Sequence, residues 1–266
     1  MQLIHQSVEL IPQEEGLVGM YKQIEKAARL CYKSEDKITN GSYKKFINML
    51  STKGHYSPFE HGTLYIKIPA DYYYGDFDNN LFKLEKKPWF KAKQILGVVY
   101  ITTNYRAYVE SNLKVVPEFI YDLPTEYHER RYTFKFITSL AMSRELNRHR
   151  CHSICEESTR YCNYSQDRFN EEISYIEPIW FKEADPITQK LFLAQGVKNE
   201  EAYLDLIKEG HKPQFARDVL SLSTKTELMH TAFESDWKEF IELRTSQFAH
   251  PQMIELATKV KELLNL

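Results

Sequence analysis

Glycine is scarce in this 266-residue chain: there are nine, and none falls into a Gly-x-Gly-x-x-Gly or Walker pattern. A glycine-rich phosphate cradle is therefore excluded, and any phosphate has to be held by side chains. Cysteine is scarcer still, and four residues do not make the disulfide framework of a small secreted domain. Neither sign of charge dominates, since 35 Lys and Arg stand against 37 Asp and Glu, a formal net charge of −2. No global field draws such a chain to nucleic acid or anionic lipid, so an anion site must be a local concentration of arginine. Long apolar runs are missing too: the longest uncharged one, residues 95–101, is far too short to span a bilayer. The first residues, Met1-Gln2-Leu3-Ile4-His5-Gln6, lack the basic and apolar regions of a signal peptide. A cytoplasmic protein with no nucleic-acid and no membrane partner is expected. Hydrophobic residues make up 42% of the chain, which is enough for a substantial core.

What the chain does have is a dense polar window. It reads Arg148-His149-Arg150-Cys151-His152-Ser153-Ile154-Cys155-Glu156-Glu157-Ser158-Thr159-Arg160. Arginine offers a fixed fork of donors suited to phosphate and carboxylate oxygens, and its charge cannot be titrated away. If residues 148–150 were helical, the two arginines would lie about 200° apart and could not share a ligand atom. Either the helix ends there or the arginines serve two ligands. Spacing leaves an equal alternative, in which Ser153-Ile154-Cys155-Glu156 is a capping box and the arginines form surface salt bridges. Cys151, Cys155 and Cys162 beside His149 and His152 raise a metal site, but a close cysteine pair is missing and the arginines repel a cation. No metal is expected.

Helical spacing predicts a helix over 17–32, with Arg29 near the edge of its apolar stripe. Ser42 can cap another through Phe46, Ile47 and Leu50, ended by Gly54. A polar connector, His55 to His61, leads into a strand over 63–68. From about 69 to 131 the texture changes, as for an insertion or small subdomain. Residues 71–76 and 78–80 read as loops, 83–93 as basic, 95–103 as a strand and 115–120 as a further short element. Residues 132–137 read as a strand, after which Thr138 or Ser139 can cap a helix through Leu140, Met142 and Leu146. Residues 177–180 mark a connection. Helices are expected over 186–194, 199–209, 215–233, 237–243 and 251–264, with Pro213 suited to a helix start. The fold class is α+β: a mixed sheet with many helices, one domain over 1–266 with an insertion at about 69–131.

Two further arginines stand out. Arg217 lies in the first turns of an expected helix, where backbone donors favour an anion, although a surface pairing with Asp218 or Glu209 is the more common case. Arg244 closes a helix, where a cation is favourable in any case. His55 and His61 flank a Ser-Pro turn that could present an imidazole to a cleft.

Together these residues resemble the flavin-dependent thymidylate synthases. The likeness rests on Arg148-His149-Arg150, then seven residues, then Ser158, with Arg160-Tyr161 and Tyr164-Ser165-Gln166 following. Ala27-Ala28-Arg29 and Gly54-His55-Tyr56-Ser57-Pro58-Phe59-Glu60-His61 support it upstream, and Pro213 with Ala216-Arg217, then Leu243-Arg244, downstream. The resemblance implies methylation of dUMP to dTMP, with methylenetetrahydrofolate as carbon donor, FAD as hydride carrier and NADPH as reductant. It implies a homotetramer with sites between subunits. Arg148, His149, Arg150, Ser57, Glu156 and Glu239 would meet FAD. Glu145, Arg148 and the stretch Glu157, Ser158, Thr159, Arg160 would hold the nucleotide, and Arg217 its phosphate. Arg244 would favour loss of the uracil N3 proton, and His55 would govern access near the flavin. Four positions depart from the family pattern: Cys155 where asparagine is common, Glu145 where glutamine or a similar polar residue occurs, and Phe233 and Glu239 where asparagines are expected. A non-catalytic nucleotide- or RNA-binding module is the competing reading, and the near-neutral net charge counts against it.

Overall fold

The structure, a computed structural model, describes residues 1–75, 87–110, 117–166 and 172–266. Asp76 and the expected loop at 78–80, residues 83–86 of the basic stretch, and residues 115–116 of the short element lie outside the described residues. Two short strands open the chain, β1 (Gln2–Ile4) and β2 (Ser7–Leu10), followed by helix α1 (Gly16–Tyr32). Helix α1 buries Met20, Ile24, Ala27, Ala28 and Leu30 along one face, and Lys33 ends it in the left-handed region. Helix α2 (Ser42–Thr52) packs beside it, and a 3₁₀ turn over Ser57–His61 buries Pro58, Phe59 and His61.

Strand β3 (Thr63–Pro69) and helix α3 (Ala70–Gly75) precede a hairpin of β4 (Lys91–Ile95) and β5 (Val98–Asn104). Helix α4 (Tyr105–Glu110) and strand β6 (Ile120–Tyr121) follow. These strands form an antiparallel sheet in the order β4-β5-β3-β6 over its own core of Ile66, Ile68, Tyr73, Phe90, Val99 and Ile101.

The second antiparallel sheet carries the arginine window. Its order is β2, β7 (Arg131–Ser139), β10 (Lys225–Phe233), β8 (Ser153–Glu156). Between β7 and β8 runs helix α5 (Leu140–Leu146), capped as expected by Ser139, whose Oγ accepts the Met142 N–H at 3.2 Å. Strand β9 (Ser174–Ile176) pairs in parallel with β1. Helices α6 (Pro186–Lys208), α7 (Pro213–Ala216), α8 (Glu234–Arg244) and α9 (Pro251–Leu264) complete the chain. The chain is α+β, and among the described residues its parallel pairing is confined to β1 and β9. No described helix is long and apolar enough to cross a membrane.

Several expectations are corrected. The helix expected over 215–233 is a short α7, a 3₁₀ turn and the central strand β10. Strand β10 is covered on both faces: Leu228 packs with Trp237, Phe240 and Leu256 of α8 and α9, while Met229 meets Ala27 and Leu30 of α1. A strand buried on both sides shows no alternation, and its Glu, Leu, Met and Ala favour a helix locally. The capping box at 153–156 is instead strand β8. The helices expected over 186–194 and 199–209 are one, running through Gly196, where a Cβ would collide with the Met1 sulfur. Residues 71–75 of the loop expected over 71–76 are helical, in α3, because Tyr73 is drawn into the core of the β4-β5-β3-β6 sheet. The single strand expected over 95–103 is a hairpin turned at Leu96 and Gly97, both with positive φ (47° and 78°).

Candidate active site

Helix α5 stops at Leu146, so Arg148-His149-Arg150 is not helical. The chain turns instead, with Arg148 N–H donating to the Glu145 carbonyl at 3.2 Å and His149 N–H to the Leu146 carbonyl at 3.1 Å. This splits the three side chains. His149 turns inward, its ring edge-on to Phe240 at 4.9 Å, while Arg148 and Arg150 stay exposed with no hydrogen bond or ion pair among the described residues.

Arg244, the last residue of α8, reaches this turn from the other side. Its Nε donates to His149 Nε2 at 2.9 Å, its Nη1 to Glu145 Oε2 at 3.0 Å and its Nη2 to the Glu145 carbonyl at 3.0 Å. Burial, then the Arg244 charge, push His149 down to about 4, so the imidazole is neutral and accepts the Arg244 proton. Glu145 is half-buried, and its contact with Arg244 is a charge-assisted hydrogen bond.

Strand β8 sorts the next residues by its two-residue period. Ser153 and Cys155 face inward and Glu156 outward, where its carboxylate accepts from Asn147 Nδ2 at 3.0 Å and Thr226 Oγ1 at 3.2 Å. Glu157 turns inward with no exposed side-chain surface and pairs with Lys225 at 2.8 Å. Beneath it, Lys225, Lys33 and Lys135 surround Glu227 at 2.6, 2.5 and 2.7 Å. Burial alone would raise the Glu227 carboxyl, but these ammonium groups hold it well below the usual carboxylate range. The knot fixes the sheet end under the site.

Ser158 is tied to α1, its N–H donating to the Cys31 carbonyl at 3.1 Å and its Oγ accepting from the Arg160 N–H at 3.3 Å. Thr159 Oγ1 accepts from Arg217 Nη1 at 3.3 Å, which brings Arg217 to the window as expected. A cleft of about 440 Å³ opens here, lined by Arg144, Asn147, Glu156, Thr159 and Arg217 among others. Arg144 and Asn147 were not anticipated. Both fall just outside the recognisable motif, although Arg144 lies one residue before Glu145 on the same helix end.

His55 and Ser57 are exposed beyond α2, where Gly54 has a φ of 68°. His55 Nδ1 meets the Tyr32 hydroxyl at 3.2 Å, and Tyr32 packs on Tyr161 with ring centroids 5.5 Å apart. The end of α1 thereby gathers His55 and Tyr161 through the unanticipated Tyr32, and Ser158 through the Cys31 carbonyl. His61 is not at the surface: it is buried against Thr231, with Nδ1 2.8 Å from Oγ1. Arg160 is exposed over the Tyr161 ring at 5.5 Å. Glu239 is exposed on α8 without a hydrogen bond or ion pair among the described residues, and Phe233 is buried beneath Lys91 and Arg131.

The assembled donors suit an anionic ligand. Arg148 and Arg150 offer forks that no carboxylate among the described residues occupies, and Arg217 gives one N–H to Thr159. Arg148 and Arg150 suit a pyrophosphate-bearing cofactor, and Arg217, in the cleft with Arg144, suits a nucleotide phosphate. Among the described residues, no three His, Cys, Asp or Glu side chains converge as a metal site.

Residues 17–71 and 124–265 match the model of the family described as thymidylate synthase complementing protein. A protein of Aquifex aeolicus (strain VF5) named flavin-dependent thymidylate synthase is 22% identical over 308 positions, spanning 93% of this chain and 95% of that protein. One from Paramecium bursaria Chlorella virus 1, named probable flavin-dependent thymidylate synthase, is 29% identical over 142 positions, spanning 49% of this chain and 64% of the viral protein.

Proposed function

The chain belongs to the flavin-dependent thymidylate synthases, the family of thymidylate synthase complementing proteins, and on that premise we propose that it methylates dUMP to dTMP. In this reading methylenetetrahydrofolate supplies the carbon, FAD carries the hydride and NADPH is the reductant. Bound flavin supplies hydride transfer, so no cysteine has to attack the pyrimidine.

The residues of this chain bind and orient. Arg148 and Arg150 present open forks to the flavin's phosphates, with Ser57, His149, Glu156 and Glu239 as the remaining flavin-side groups. Arg217 takes the phosphate of dUMP, with Glu145 and Arg148 nearby, and Ser158, Thr159 and Arg160 contribute across a subunit boundary. Glu157 holds the end of β8 on Lys225 and so sets the position of that stretch. Arg244 faces the uracil ring, where its positive charge stabilises the ring anion left by loss of the N3 proton and makes the ring a better carbon nucleophile. His55, exposed on Tyr32, governs access.

One observation carries this reading: the Arg244 guanidinium is held by Glu145 and by His149, whose two neighbours in the chain are exposed arginines with no side-chain partner among the described residues. The test is an absorbance spectrum together with tritium release from dUMP labelled at C5. A yellow protein whose release depends on methylenetetrahydrofolate and NADPH supports the proposal. A colourless protein that neither takes up FAD nor turns over dUMP overturns it.

The proposal extends to organisation. We read the chain as one domain acting in the cytoplasm as a homotetramer, with an insertion at about 69–131. The absence of residues 72–123 from the family match supports the insertion, and Arg148, Arg150 and Glu239, without side-chain partners among the described residues, suit a site completed by another subunit.

A further inference from the structure

Four cysteines are all free, but their surroundings differ. Cys162 is fully buried, and Cys151 is pushed up to about 11 by burial and by nearby Asp236. Cys31 is the reactive one. It is partly exposed at the end of α1, its Sγ donates to the Ala27 carbonyl at 3.6 Å, and the neighbouring Cys155 thiol and Glu156 backbone lower its thiol below the ordinary value. Cys155, buried on β8, packs with Ala27, Leu30 and Met229 in the cluster that Cys31 borders. An accessible thiol thus packs against the cluster that holds a sheltered one, where α1 meets β8.

We propose that Cys31 and Cys155 form a reversible disulfide under peroxide, and that this bond loosens nucleotide binding at the adjoining residues 156–160. The Cys31 thiolate attacks one oxygen of hydrogen peroxide, giving a sulfenic acid and, with a proton, one water. The Cys155 sulfur then attacks the Cys31 sulfur, the S–O bond breaks, and the hydroxyl leaves with the Cys155 proton as a second water. Two thiols lose two electrons and two hydrogens, and one peroxide is reduced to two waters. A thiol reductant reverses the bond.

The consequence for the site follows from what the two residues hold. The Cys31 carbonyl anchors the Ser158 N–H at 3.1 Å, the next residue, Tyr32, meets His55, and Cys155 directly precedes Glu156. A covalent S–S distance of about 2.05 Å draws the end of α1 and β8 closer than two unbonded thiols in packing contact do. Ser158 and Glu156 move with them. The effect on nucleotide rests on the function proposed above, whereas the disulfide itself does not.

The experiment uses the full-length, flavin-loaded protein treated with hydrogen peroxide, followed by intact mass, free-thiol count, peptide mapping and dUMP binding by calorimetry. The expected result is a loss of two hydrogens, a fall from four thiols to two, a Cys31–Cys155 linked peptide and a several-fold weaker dUMP affinity, all restored by dithiothreitol. Cys31→Ser should keep its mass, and Cys155→Ser should stop at a sulfenic acid on Cys31 that dimedone traps. Four thiols surviving, or a link between other cysteines, overturns the proposal. A Cys31–Cys155 link that leaves dUMP affinity unchanged overturns the switch. If the link forms but the reduced protein binds no dUMP, the disulfide stands and the proposed function fails.

Discussion

Arg244 gives its Nε–H to His149 Nε2 at 2.9 Å, and this contact fixes the imidazole tautomer, placing the ring proton on Nδ1. With Glu145 occupying one N–H on each terminal nitrogen, the guanidinium is held on three sides and keeps one N–H per terminal nitrogen for a ligand. The arrangement orients a charge before any ligand arrives.

Removing that charge tests its role directly. Arg244→Ala should lower tritium release from C5-labelled dUMP by roughly 10²-fold or more, the scale for losing one preorganised electrostatic donor. Flavin absorbance and the melting temperature should stay near wild type, because Arg244 is at a helix end outside the core. Arg244→Lys should rescue little, since an ammonium cannot span His149 and both Glu145 oxygens. Near-normal turnover in either variant would show that Arg244 does not act on the ring.

Glu145 should act through Arg244. Its carboxylate is charge-assisted but partly exposed, so Glu145→Ala should cost about 1 kcal/mol, roughly a fivefold fall in kcat/KM. Glu145→Gln should recover part of this loss by keeping an acceptor. In an Arg244→Ala background, Glu145→Ala should add nothing to the loss of dUMP affinity read by calorimetry. An additive effect there would mean that Glu145 meets the nucleotide itself.

Much of this site was legible in sequence because its residues fall in one ordered motif. Ser139 as a helix cap and the helix over 251–264 were legible because each rests on local chemistry alone. Strand β10 was not. Its partners β7 and β8 are distant in sequence, and only their pairing overrides the helical leaning of Glu227, Leu228, Met229 and Ala232. The inward turn of Glu157 was hidden for the same reason, since it follows from the alternation of β8 and from Lys225 across the sheet. Arg144, Asn147 and Tyr32 reach the site through tertiary packing and carry no motif of their own.

Phe240 joins the core to the site. It packs with Trp237 and Phe134 in the core under the second sheet and carries the His149 ring on its edge. Phe240→Ala should destabilise the protein by about 3–5 kcal/mol, read from urea unfolding. It should also lower kcat at temperatures where the variant remains folded, because His149 loses its support behind Arg244. Unchanged kcat in the folded variant would show that the ring needs no such backing.

Acid should unfold the protein through its buried histidines. His61 and His230 are held down to about 3, each first by burial, and His149 to about 4. His152, whose Nδ1 is 3.3 Å from His230 Nδ1, is also well below its ordinary value. These folded-state values lie below the unfolded value near 6.5, so the unfolded chain binds more protons in between. The stability they contribute is complete above about pH 6.5 and drains away as pH falls, toward about 4 for His149 and about 3 for His61 and His230, at roughly 1.4 kcal/mol per pH unit for each histidine. Urea midpoints should therefore be flat between neutral pH and about 6.5 and fall steeply below it. Replacing His61 with asparagine, which keeps an acceptor for the Thr231 hydroxyl at a position where no charge can form, should make that descent shallower by about one proton. An unchanged slope would mean that His61 already takes up its proton in the folded state.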